Sequence, residues 1–136
     1  MRRHEAEVEA GGVSLTMRYR DDVGGDSGLC IEVYADVDGA PTELLRFDCF
    51  RHTPHYHYGP MGRDERIMFD ATADGDPLDW TLERFQRGRL RAMIERAGYP
   101  GVAAAVDEAA VAAALPRLID EARAIVAAHE PHEARP

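Results

Sequence analysis

The chain has 136 residues, of which 45% are hydrophobic and 30% charged, and its formal net charge is −9. These totals fit one soluble globular domain with a core of its own, and no apolar run is long enough to predict a membrane span. The acidic balance repels phosphate backbones and disfavours nucleic acid as a partner, while the complete absence of lysine excludes Schiff-base chemistry and Walker-type phosphate loops.

The first residues, Met1-Arg2-Arg3-His4-Glu5, run into acidic sequence with no apolar stretch. That is unlike a secretory signal, and the expected location is the cytoplasm. Cys30 and Cys49 lack CxxC spacing, so two free thiols are expected.

In chain order, Val13, Leu15, Met17 and Tyr19 alternate with Ser14, Thr16, Arg18 and Arg20, the period of a half-buried strand. A Gly- and Asp-rich loop over 21–28 leads to a second strand, with Leu29, Ile31, Val33, Ala35 and Val37 on one face. Asp38-Gly39-Ala40-Pro41 turns the chain again. A third strand starts near Thr42, with Leu45, Phe47 and Cys49 on one face and Leu44, Arg46, Asp48 and Phe50 on the other. Pro54 bulges it, interrupts it or marks an edge. Residues 66–72 read as a fourth strand after the turn at Tyr58–Gly62.

The period then changes to that of helices. Asp76-Pro77 is an N-cap followed by proline, and Leu82, Phe85, Leu90, Met93, Ile94 and Ala97 form an apolar stripe that Gln86 interrupts. A short alanine-rich helix is expected after Asp107 and stops before Pro116, which opens a last helix. Strands first and helices second predict an α+β fold: a four-stranded antiparallel meander followed by two or three C-terminal helices packed on one face. One domain is expected over 1–136, with strands at about 5–75, helices at about 77–129, and frayed tails at 1–4 and 130–136.

Three of the six histidines, His52, His55 and His57, fall within six residues. On a strand, His55 and His57 share a face and can present two imidazoles to one object. That pattern predicts a site for one divalent transition metal, with zinc, iron, manganese, nickel and copper all compatible with imidazole, or for a small acidic ligand held on the polar face that Arg46 and Asp48 share with Arg18, Arg20, Glu32 and Tyr34. His52 or a carboxylate would complete the ligand set, and Arg46 and Asp48 would act catalytically by orienting a ligand or a histidine tautomer. By parity along the strand, Asp48 and His52 face away from His55 and His57, whereas Cys49 faces with them. The competing account is a set of rim histidines that only hydrogen-bond and stack. Arg84, Arg87 and Arg91 read as a solvated helix face, and Trp80 and Tyr99 as packing anchors. The His55-Tyr56-His57 spacing lacks the downstream glutamate of a cupin barrel, because Met61 and Gly62 stand in its place.

The run Leu45-Arg46-Phe47-Asp48-Cys49-Phe50, with Pro54-His55-Tyr56-His57-Tyr58-Gly59-Pro60, resembles the signature of a family of small uncharacterised bacterial proteins. Asp76-Pro77-Leu78-Asp79-Trp80 and the Leu115-Pro116 tail resemble the same family, a domain of unknown function, so the resemblance implies no activity. Arg46, Asp48, Pro54, His55 and His57 also follow the order of an Arg-x-Asp strand and Pro-His-x-His segment in small toxins of bacterial toxin–antitoxin modules. That weaker similarity implies a non-enzymatic interaction protein as the alternative, paired with a small protein partner or with a second copy through the sheet.

Overall fold

The two-residue periodicity of the N-terminal half builds one antiparallel sheet. The computed structural model describes residues 5–130. Its strands are β1 (Glu5–Ala10), β2 (Val13–Val23), β3 (Asp26–Val37), β4 (Ala40–Phe50), β5 (His55–Tyr58) and β6 (Glu65–Met68), which lie side by side in sequence order. The sheet therefore has six strands where the sequence predicts four. β1 escapes the prediction because Glu5, Glu7 and Glu9 leave only Ala6, Val8 and Ala10 for its inner face. β5 escapes because the chain reverses over Arg51–Pro54 instead of continuing the third strand.

Tight turns hold the meander together. Asp38 and Gly39 both adopt positive φ, 53° and 82°, which matches the twist of the strands they join. At the β1–β2 turn, the Gly11 carbonyl accepts from Asp107 N at 3.0 Å. A Cβ on Gly11 would collide with the Asp107 carbonyl, so that turn can seat against the helical layer only as glycine.

Cross-strand register sets two faces. Leu15, Val33 and Leu45 form one row, and Met17, Ile31 and Phe47 the next, all buried. Burying each such side chain is worth roughly 1.5–3 kcal/mol. The opposite face carries Arg18, Cys30 and Asp48 in one row and Thr16, Glu32 and Arg46 in another. Between Val33 and Tyr34 the register slips, so Leu44 is the extra residue of a bulge in β4. The slip leaves Glu43 opposite Tyr34, and Glu43 clasps Arg46.

The helices α1 (Ala71–Asp74), α2 (Pro77–Gln86), α3 (Leu90–Arg96), α4 (Pro100–Ala105) and α5 (Glu108–His129) follow the sheet. The apolar residues Leu82, Phe85, Leu90, Ile94, Leu118 and Ile125 close the core over the Leu15–Phe47 face, with Phe85 edge-on to Phe47 at 5.7 Å. Among the described residues, five helical segments replace the predicted two or three. The first predicted helix breaks after Gln86, where Gly88 takes a φ of 68°. The last two predicted helices are one, because α5 runs through Pro116. Pro116 and Ala112, whose carbonyl loses its helical donor to the proline, are both exposed, so water can satisfy that carbonyl. Meanwhile the buried stripe Val111, Leu115, Leu118 and Ala122 continues across the proline.

Tyr19 donates to the Glu130 carboxylate at 2.7 Å and stacks on His129, which fastens the end of α5 to β2. Of the predicted frayed tails, Glu130 is thus tied down, and 1–4 and 131–136 lie outside the described residues. No helix among the described residues is long and apolar enough to cross a membrane.

Candidate metal centre

Asp48 lies directly opposite His55 in the β4–β5 ladder, and Arg46 lies opposite His57. Residues paired across a ladder share a face, so the reversal at 51–54 brings Asp48 beneath both imidazoles. Parity counted along a single strand predicts the reverse, and it fails because the chain turns back between the two segments. Cys49 consequently points into the core, 3.7 Å from the Thr81 hydroxyl, and burial pushes its thiol up to about 12. It is neither ligand nor nucleophile there.

Asp48 Oδ2 is 3.0 Å from His55 Nε2 and 3.3 Å from His57 Nε2. These two edges match the roughly 3.0–3.4 Å that separates donors about 2.1 Å from one shared ion, and they are equally hydrogen-bond distances from a ring protonated at Nε2. Asp48, His55 and His57 are the group that could hold a metal ion among the described residues, with one ligand atom each and all within 4.8 Å of one another. Asp48 is 2% exposed, and its second oxygen, Oδ1, has no hydrogen-bond partner. Burial opposes the Asp48 charge, yet the His55 and His57 rings outweigh it and hold the carboxyl well below the usual carboxylate range.

The far side of each ring is also fixed. His55 Nδ1 donates to the Thr53 carbonyl at 2.8 Å, and His57 Nδ1 donates to Asp64 Oδ1 at 2.7 Å. Both acceptors require a proton on Nδ1, so in either neutral ring the Nε2 lone pair is the one aimed at Asp48. The Asp48 carboxylate raises the His57 pKa most, burial opposes it, and Asp64 adds to the rise. Phe50 meets the His55 ring edge-on at 5.6 Å.

Two loops set these clamps. Asp26, buried at the start of β3, accepts from His52 N at 3.0 Å, Thr53 N at 2.8 Å, the Thr53 hydroxyl at 2.8 Å and Ser27 N at 2.9 Å. That network fixes the Thr53 carbonyl on which His55 rests. In the second loop, the Gly59 carbonyl accepts from Gly62 N and Asp64 N, both at 2.9 Å, and Gly59 N donates to the bulge carbonyl of Leu44. Asp64 closes this loop at a φ of 54°, a left-handed conformation that aspartate tolerates better than most residues.

Sequence reasoning located the histidine segment but missed Asp26 and Asp64. Asp26 looked like turn composition, and nothing in the spacing ties Asp64 to His57. His52 is exposed in the reversal and stands outside the group, so a carboxylate, not a third imidazole, completes it. Arg46, although opposite His57 in the ladder, commits both its Nε and Nη2 to Glu43 at 2.8 Å. Arg18 is likewise clasped by Glu32, at 3.2 and 3.1 Å. Asp70, a further carboxylate near the segment, caps α1 through Thr72 N and Ala73 N.

These features define an α+β protein whose antiparallel sheet presents two histidines and one aspartate to a common point. The chain belongs to the family described as "Domain of unknown function (DUF7700)", whose family model matches residues 7–122. No curated protein and no solved structure matches the chain.

Proposed function

We propose that this protein binds one divalent transition metal through Asp48, His55 and His57. One observation carries the reading: both rings have Nδ1 committed to an acceptor, which leaves two Nε2 atoms converging on a buried carboxylate. Three lone-pair donors facing one another in a buried place repel unless a cation, proton or metal, lies among them. Two imidazoles and one carboxylate suit zinc or iron(II), and a three-residue set leaves coordination positions for water or a ligand. Thr53 and Asp64 are then the outer partners that hold ring orientation and raise ligand basicity.

Protein purified without a histidine tag should carry close to one equivalent of metal by elemental analysis, or take it up in calorimetric titration. The double variant His55→Ala/His57→Ala, verified as folded by circular dichroism, should take up none. Absence of metal uptake by the wild-type protein would overturn the reading in favour of a protonated His–Asp network. Asp64→Ala is expected to weaken metal binding by about 10- to 100-fold, the usual effect of losing an outer partner. Asp64→Asn keeps an acceptor oxygen and should lose less in the same titration.

A further inference from the structure

Three arginines on the open sheet face flank the centre, and they are not equivalent. The side chains of Arg18 and Arg46 are clasped by Glu32 and Glu43. Arg20 has no hydrogen-bonded acceptor among the described residues, and its Nη1 stops 4.0 Å from Asp48 Oδ1. That separation is an ion-pair distance but too long for a hydrogen bond. The Arg20 side chain is about one-third exposed, whereas Asp48 Oδ1 is buried and accepts no hydrogen bond. In register, Arg20 lies opposite Gly28, which lies opposite Phe50. No side chain therefore stands between Arg20 and Phe50 on that row, and Phe50 borders His55.

We propose that the metal centre takes a small carboxylate ligand, with one oxygen on the ion and the other on Arg20. This rests on the metal reading above. A divalent ion keeps net positive charge after neutralisation by Asp48 alone, and Arg20 adds a second positive group beside it. A planar guanidinium with free donors matches a carboxylate in shape and charge. The coordination positions left open by three protein donors supply the other half of the clamp.

The test uses cobalt(II)-loaded protein, with acetate added at constant ionic strength and the visible absorption of the ion as readout. Wild-type protein should show a saturable spectral change with acetate. Arg20→Gln should bind acetate at least about 10-fold more weakly, the scale of one lost charge-assisted contact. Its cobalt affinity should be no weaker than that of wild type, because removing a neighbouring positive charge favours a cation. Equal acetate binding by Arg20→Gln would overturn the proposal and leave the metal reading intact. Failure of wild-type protein to bind cobalt without acetate would overturn both. A parallel phosphate titration separates carboxylates from oxyanions in general: tighter, Arg20-dependent phosphate binding would overturn the choice of a carboxylate.

Discussion

If Asp48, His55 and His57 hold a metal as proposed, Asp48→Asn is expected to lower metal affinity by at least about 100-fold, more than the loss of an outer partner such as Asp64. The amide keeps the shape of the carboxylate, so the change isolates charge. It removes the anionic donor between the rings, and one of its two terminal atoms becomes a hydrogen-bond donor. The fold should survive, because the amide has the volume of the buried carboxylate and the substitution leaves the Leu15–Phe47 core untouched. Calorimetric titration with zinc, alongside a thermal melt of the metal-free protein, separates the two effects. Wild-type zinc affinity in a folded Asp48→Asn variant would remove this carboxylate from the centre.

Asp26→Ala should produce the largest stability loss traceable to a single polar side chain, about 2–4 kcal/mol in denaturant unfolding. The carboxylate accepts from three backbone N–H groups and one hydroxyl, and truncation to alanine strands all four donors in a half-buried place. The effect has a pH signature. Burial opposes the Asp26 charge, but donors from His52, Thr53 and Ser27 prevail and bring its pKa from 3.8 to about 2. Above about pH 5 the carboxylate is ionised in both folded and unfolded chains, and its full stabilisation is present. As pH falls through 3.8 the unfolded chain takes up the proton first, and the stabilisation drains away until the folded carboxyl protonates near 2. The stability difference between wild type and Asp26→Asn should thus be largest near neutrality and shrink from about pH 5 toward about pH 2. A difference that stays constant over that range would contradict the assigned network.

Residues 13–20 and 29–37 were legible as strands because apolar side chains alternate with polar ones, a period of two in the sequence that holds even though Cys30 and Glu32 on the second face of 29–37 are buried. β1 was not legible, since an edge strand needs only a thin inner face and Val8 is its one large apolar residue. α5 was split at Pro116 because a local rule about proline was outweighed by packing that the local sequence does not display. The candidate site divides in the same way. Local composition revealed His55 and His57. The role of Asp48 depends on which residue of β5 it faces, and only a closed ladder fixes that. Asp26 and Asp64 act through loops whose geometry is set by long-range hydrogen bonds, so no nearby pattern announces them.

The three donors span only ten residues, from Asp48 to His57, within a single hairpin. Bringing them together closes a very short loop, which carries a small entropic penalty and needs no distant part of the chain. The β4–β5 pairing alone thus sets the three donors side by side, while the clamps that orient the rings, Asp26 through the Thr53 loop and Asp64, come from outside that hairpin. An ion captured there would favour the reversal at 51–54 over an uninterrupted strand, making the ligand set a staple for the sheet's own topology.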